Sequence, residues 1–185
     1  MTDPSMTDPV VASPEIATPR LRLRPLRRAD AGLIALYCGH PDLARMTTSI
    51  PHPYPPGLAE SFVARTLSAG SDERVWALDT GEDGDNGLVG LLSLRPRPGG
   101  EAEIGYWVAP AFWGTGYASE AVEAIARRAA AEGFAALTAQ AFQDNLASVK
   151  VLSRAGFAYE GEGALYSVAR AAMVPTFRYR LELSP

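Results

Sequence analysis

The sequence predicts a single α/β domain in which a mixed sheet carries helices on its faces. Segments of period-two alternation and segments of helical period follow one another, and after residue 74 they read ββ…βαβαββ. One long amphipathic helix follows directly on a strand and a glycine loop, the arrangement of an α/β unit. At 185 residues, 47 % of them hydrophobic, the chain has the size and composition of one domain with one core.

Residues 1–19 read as a disordered tail, with the folded domain over 20–185. The tail contains Met1-Thr2-Asp3-Pro4 and again Met6-Thr7-Asp8-Pro9, a doubled start region, and its prolines oppose regular structure. Arg20, Arg22 and Arg24 then alternate with Leu21 and Leu23, which predicts a strand with leucines inward and a solvated face of arginines outward. Asp30 is placed to cap a helix running to Tyr37, with Leu33, Ile34 and Leu36 as apolar positions. The run Ile50-Pro51-His52-Pro53-Tyr54-Pro55-Pro56 fixes an extended, rigid loop. A second helix is expected over 58–69 with Phe62, Val63 and Leu67 buried, followed by strands at 74–79 and 87–95 around an acidic, glycine-rich hairpin loop, Gly81–Gly87. A strand over 102–108 ends at Pro110. The helix from Gly116 to Glu132 places Ala118, Ala121, Val122, Ile125 and Ala129 on one face and stops at Gly133. A strand over 135–142, a helix from Asn145 to Ala155 ended by Gly156, and strands from Phe157 to Val168 and Val174 to Leu183 complete the chain, with no linker after residue 20.

Charge and composition exclude several functions. The net charge of −4 and isoelectric point near 5.2 argue against a nucleic-acid binder, which shows a basic excess. No run approaches the ~20 apolar residues that span a bilayer, and no basic segment followed by an apolar one suggests a secretory signal. The lone cysteine, Cys38, forms no internal disulfide and fits a reducing, cytoplasmic compartment; its apolar surroundings predict a buried structural thiol. His40 and His52 stand apart with no Cys/His cluster, so no metal site is expected.

The chemistry lies between Glu101 and Glu120. This run reads strand, a short loop with Gly114 and Gly116, then the long helix. First-turn amides lack internal partners, the helix dipole adds partial positive charge there, and glycines let a backbone close on a ligand. Such a unit suits a diphosphate. It is not a nucleoside-triphosphate loop, since Gly-Lys-Ser/Thr is missing. Nor does it match the dinucleotide fingerprint, because Ser119 replaces the third glycine. Along the strand, Glu101, Glu103, Gly105 and Trp107 share one face and Ala102, Ile104, Tyr106 and Val108 the other. Asn145 precedes a helix and, with Ser148 three residues on, has the spacing of a cap.

Three ordered segments together resemble a known family. Glu103-Ile104-Gly105-Tyr106-Trp107-Val108, then Trp113 to Ala121, then Asn145-Leu146-Ala147-Ser148-Val149-Lys150-Val151-Leu152 with Gly156-Phe157, are similar to the GNAT superfamily of N-acetyltransferases. The opening Thr18 to Arg24 and the loop Pro51 to Tyr54 are similar to its ribosomal-protein N-terminal-acetyltransferase branch, the RimJ/RimL type. The resemblance implies a mostly antiparallel sheet of about seven strands, splayed at the cofactor site and flanked by about four helices. It implies acetyl-CoA as co-substrate and a primary amine, on a protein N-terminus or a small molecule, as acceptor. A homodimer through the C-terminal strands is compatible with it.

By the same resemblance, Gly114, Thr115, Gly116, Tyr117, Ala118 and Ser119 hold the coenzyme A diphosphate. Trp113 stands where many relatives carry Gln or Arg. Val108 offers its backbone to the pantetheine arm and the thioester oxygen. Asn145 and Ser148 contact the pantetheine and diphosphate, and Lys150 is either a phosphate partner or a solvated lysine. Amine acetylation needs a group to take the ammonium proton and a donor toward the leaving thiolate. Glu103 is the candidate base. Leu152 stands where many relatives carry the tyrosine acid, so the resemblance supplies none: Tyr159 and Tyr166 lie nearby in sequence as packing residues or donors, Ser148 is a candidate relay, and a thiolate with a pKa near ~8.5 can leave without an acid. His52, Tyr54 and Tyr106 are candidates for the acceptor side. The competing reading is a non-catalytic acyl-CoA-binding module on the same fold.

Overall fold

The computed structural model describes residues 13–68, 72–81 and 87–183. Its strands are β1 (Ile16–Ala17), β2 (Arg22–Pro25), β3 (Arg74–Asp79), β4 (Leu88–Arg97), β5 (Glu101–Val108), β6 (Ala136–Phe142), β7 (Ala158–Ser167) and β8 (Ala172–Glu182). Its helices are α1 (Ala31–Cys38), α2 (Pro41–Ala44), α3 (Leu58–Thr66), α4 (Tyr117–Ala131) and α5 (Leu146–Arg154). The strands form one sheet in the order β1-β2-β3-β4-β5-β6-β8-β7. Every neighbouring pair is antiparallel except β5 and β6, which are parallel and joined through α4.

Both faces of the sheet are covered, which explains why β3 reads as a nearly continuous apolar run. Trp76 and Leu78 point to a core shared with α4 and α5, while Val75 and Ala77 point to one shared with α1 and α3. Within α4, Ala121, Val122, Ile125 and Ala129 are fully buried, and Ala118 only partly. Burying a Val or Ile side chain in this way contributes roughly 1.5–3 kcal/mol. The predicted amphipathic stripe is therefore the face that docks α4 on the sheet.

Where about seven strands and about four helices are expected, the described residues hold eight strands and five helices. The eighth strand lies in the expected tail. Residues 1–12 fall outside the described residues, but Ile16–Ala17 pairs with Arg22–Leu23. The Trp76 indole also donates to the Pro14 carbonyl at 2.8 Å. Backbone pairing overrides the local proline signal there. The added helix, α2, is a single turn opened by Pro41 and capped by the His40 side chain; it is too short for periodicity to reveal. Helix α3 stops at Thr66, so Leu67 lies beyond it and is 42 % exposed. Of the Gly81–Gly87 loop, residues 82–86 lie outside the described residues.

The arginine face is the largest correction. Arg24 is only 1 % exposed. Its guanidinium donates to both Asp30 carboxylate oxygens at 2.9 Å and pairs with the buried Asp79. Asp30 consequently does not cap α1. Its carboxylate instead accepts from the Arg27 amide at 2.7 Å and from Arg24. The buried triad ties β2, β3 and the turn before α1 into one unit.

The β5–β6 junction positions the site. The two strands pair only where Glu101, Ala102 and Glu103 face Ala136, Leu137 and Thr138. Beyond Glu103, β5 continues to Val108 and β6 to Phe142 with no further ladder between them. Each strand is held by its outer neighbour, β4 and β8, so the sheet stays continuous while a gap opens in its middle.

Candidate active site

The gap opens into a cavity of about 550 Å³ lined by β4, β5, β6, α1, α3 and the loop from Met46 to Pro51. Glu103, Gly105, Tyr106 and Trp107 reach it from β5, Gln140 from β6, and Asn145 and Ser148 from the start of α5. Tyr54 lines it as well. His52 is exposed and is not part of the lining.

Tyr106 spans the gap. Its hydroxyl lies 2.9 Å from the Ser148 Oγ and 3.4 Å from the Ser148 carbonyl oxygen. Burial pushes the phenol up to about 12, against a smaller opposing effect of the Ser148 hydrogen bond. Ser148 is itself placed by Asn145, whose Oδ1 accepts from the Ser148 amide at 3.1 Å and caps α5. The capping spacing read from the sequence is thus realised, and it fixes the hydroxyl opposite Tyr106. Leu152 is fully buried in the core and presents nothing to the cavity. Lys150 is exposed on α5.

Glu103 lies where the ladder between β5 and β6 ends. Its Oε2 accepts from the Arg97 Nε at 2.9 Å and is also paired with the Arg97 Nη2. The side chain is 33 % exposed. Glu101 is bonded to Arg180 at 2.7 Å. An ion pair with both partners in the lining joins Arg95 to Glu73 at 3.1 Å.

The segment after β5 builds the second half. Ala109–Trp113 makes a short turn, Gly114 and Gly116 adopt φ of 78° and 86°, and α4 begins at Tyr117. Gly116 needs that positive φ to turn the chain into the helix. The Trp113 indole donates to the Val108 carbonyl at 2.7 Å, so this oxygen already carries one hydrogen bond. Gly114, Thr115 and Gly116 are exposed, and Tyr117, Ala118 and Ser119 form the half-buried first turn. A close approach fixes β5 from behind: a Cβ on Gly90 of β4 would stand 2.3 Å from the Trp107 carbonyl oxygen.

The wall formed by residues 45–50 is pinned by the β7–β8 turn. Val168 donates its amide to the Thr48 carbonyl at 2.9 Å, and Ser167 donates its hydroxyl to that of Thr47 at 3.2 Å. Arg170 donates Nε to the Arg45 carbonyl at 2.7 Å and Nη1 to Asp144 at 2.8 Å. Arg170 thereby joins the loop wall to the turn that carries Asn145. Sequence reasoning missed these contacts, since nothing local marks a residue 125 positions away as a partner.

A family model described as the acetyltransferase (GNAT) domain matches residues 20–158. The chain belongs to the GNAT acetyltransferase family. No curated protein sequence gives a match. Among solved structures, this GNAT domain is similar to RimL, a ribosomal L7/L12 α-N-protein acetyltransferase in complex with coenzyme A. The TM-score is 0.79 at 19 % identity, covering 92 % of this chain and 98 % of the other. It is similar to a ribosomal-protein-S5-alanine acetyltransferase from Vibrio fischeri at TM-score 0.75 and 20 % identity, covering 94 % and 100 %. A third is a spermidine N-acetyltransferase from Vibrio cholerae in complex with coenzyme A and spermine, at TM-score 0.75 and 18 % identity, covering 90 % and 97 %. These neighbours, two of them named as ribosomal-protein acetyltransferases, share the fold of this chain. No described helix is long and apolar enough to cross a membrane.

Proposed function

We propose that this acetyltransferase moves an acetyl group from acetyl-CoA to a single primary amine, by direct attack within a ternary complex. The observation that carries this reading is the gap between β5 and β6. One cavity there meets β5 and the start of α5, and the glycine loop and α4 follow β5 in the chain. The residues fit the co-substrate. Gly114 and Gly116 leave room for a backbone cradle, the first-turn amides of Tyr117, Ala118 and Ser119 supply donors, and Asn145 and Ser148 border the path of the pantetheine arm. Acetyl-CoA supplies the activated acyl group.

Glu103 takes the amine proton at Oε1, because both Arg97 contacts fall on Oε2. The Val108 amide is the candidate donor to the thioester oxygen as negative charge develops there. Ser148 and Tyr106 face the leaving sulfur. A thiolate with a pKa near ~8.5 does not take a proton from a phenol near 12. Tyr106 therefore stays protonated, donates to the Ser148 Oγ, and leaves the Ser148 hydroxyl proton to hydrogen-bond the thiolate. This pair stabilises the leaving group without supplying a net proton, which accounts for a site with no tyrosine at Leu152.

The lining also favours an acceptor class. Its two carboxylates, Glu73 and Glu103, are both engaged by arginines, and Arg65 adds a further cation at the wall. A polyamine, with several charges, finds no surplus carboxylate, whereas a peptide N-terminus presents one amine. A cytoplasmic location and a homodimer through the β7 edge belong to the same reading. Thiol release from acetyl-CoA with peptide N-termini, polyamines, amino acids and aminoglycosides tests it, with peptides expected to exceed spermidine. Glu103→Gln is expected to lower kcat by roughly 10²–10⁴ while coenzyme A affinity is kept. Wild-type rates at every pH would remove Glu103 as base. Coenzyme A binding with no turnover on any acceptor would instead favour a non-catalytic acyl-CoA-binding module.

A further inference from the structure

The contact between the N-terminal segment and the glycine loop has no place in the reading above. Arg20 donates Nε to Glu120 Oε2 at 2.7 Å and Nη1 to the Thr115 carbonyl at 2.8 Å. Its backbone amide donates to Glu120 Oε1 at 2.8 Å, and the Thr18 hydroxyl donates to the same oxygen at 2.6 Å. The guanidinium also lies over the Tyr117 ring, 5.0 Å from its centroid. Its Nη2 is the atom that a Cβ on Gly116 would approach, at 3.2 Å.

Two physical consequences follow. A trans peptide points its N–H opposite to its C=O. With the Thr115 carbonyl held toward Arg20, the Gly116 N–H is aimed to the other side of the loop. Glu120 stands in the first turn of α4 with a side chain only 12 % exposed. A carboxylate there suits the helix dipole but repels any anion bound at the same helix end. Arg20, forming two contacts with that carboxylate and one with the loop carbonyl, cancels the repulsion where it arises.

We propose that Arg20 is a positioning residue for the diphosphate cradle: it fixes the Thr115–Gly116 peptide plane and neutralises Glu120, so that the loop amides face an anion. This rests on residues 114–119 being the diphosphate site. It makes residues 18–20, outside the strand–loop–helix motif itself, part of the machinery for holding the co-substrate.

The test compares Arg20→Ala with wild type by calorimetric titration of coenzyme A, and by NMR titration of pantetheine, which lacks the diphosphate. The coenzyme A Kd is expected to rise about tenfold, the pantetheine Kd to stay within about twofold. An unchanged coenzyme A Kd, or an equal loss for both ligands, overturns the proposal, since a merely structural role weakens both. Should Arg20→Ala not fold by circular dichroism, Arg20→Gln keeps a donor toward Glu120 without the charge and is read by the same two titrations. Failure of the underlying site assignment looks different: Gly116→Val then leaves the coenzyme A affinity of the protein unchanged.

Discussion

Tyr106 shows how one side chain changes meaning with its surroundings. In the sequence it is an apolar strand position, and aromatics at such positions are most often core. In the structure its ring is half-buried against the core while its hydroxyl reaches Ser148 across the gap between two strands. Removing that hydroxyl leaves the Ser148 Oγ without its hydrogen-bond partner across the gap. Tyr106→Phe is expected to lower kcat about tenfold, as a hydrogen bond serving a charged group contributes roughly 1.5–3 kcal/mol. Coenzyme A affinity is expected to be unchanged, which separates this effect from loss of the cradle. Single-turnover thiol release and calorimetry read the two quantities. Cys38 is the opposite case. It is 3 % exposed, and burial pushes its thiol up to about 12, so the structural role read from its apolar neighbours is the one it plays.

At the scale of elements, β2 is the instructive case. Its alternation correctly places Leu21 and Leu23 in the core shared with α4. The opposite face is solvated at Arg20, which stays exposed, but not at Arg24, which is enclosed with Asp30 and Asp79. Arg24→Ala leaves two buried carboxylates without their cation and is expected to cost about 3–5 kcal/mol, measured by urea unfolding. Replacing all three groups by apolar residues of similar volume is expected to cost far less, because a buried ion pair offsets its own desolvation only in part. The contrast between the variants tests whether the triad stabilises the fold or merely compensates itself. The hairpin of β7 and β8 acts on the site in a comparable way, since Arg170 holds the loop wall and Asp144 together.

For the whole molecule, the shifted groups predict how stability depends on pH. Burial raises Cys38, Tyr54 and Tyr106 to about 12 each. The unfolded chain ionises such groups near pH ~8.5 and ~10. Above about pH 8.5 the unfolded state therefore loses protons that the folded state keeps, and stability falls as pH rises. On the acid side, Arg74 and Arg128 hold Glu132, and Arg170 holds Asp144, below the usual carboxylate range. Their contribution is complete above about pH 4–5 and is lost as pH falls through the carboxylate range. The melting temperature is expected to be flat between these limits and to drop on both sides. A melting temperature that holds level to about pH 11 would contradict the alkaline half.

The sequence by itself determined the order and limits of nearly every element after residue 20 and the glycine loop ahead of α4. It also carried the family resemblance in three separated segments. These are local properties: hydrophobic period, caps and stops act over a few residues and are legible in any window that contains them. Only the tertiary structure decided which arginine is buried, which carboxylate is paired, and that Tyr106 meets Ser148. It also decided that residues 18–20 meet the loop and that the β7–β8 turn pins the cavity wall. The physical reason is that each of these depends on two chain segments meeting at a definite orientation. An arginine on a strand looks the same in sequence whether a helix or water covers it.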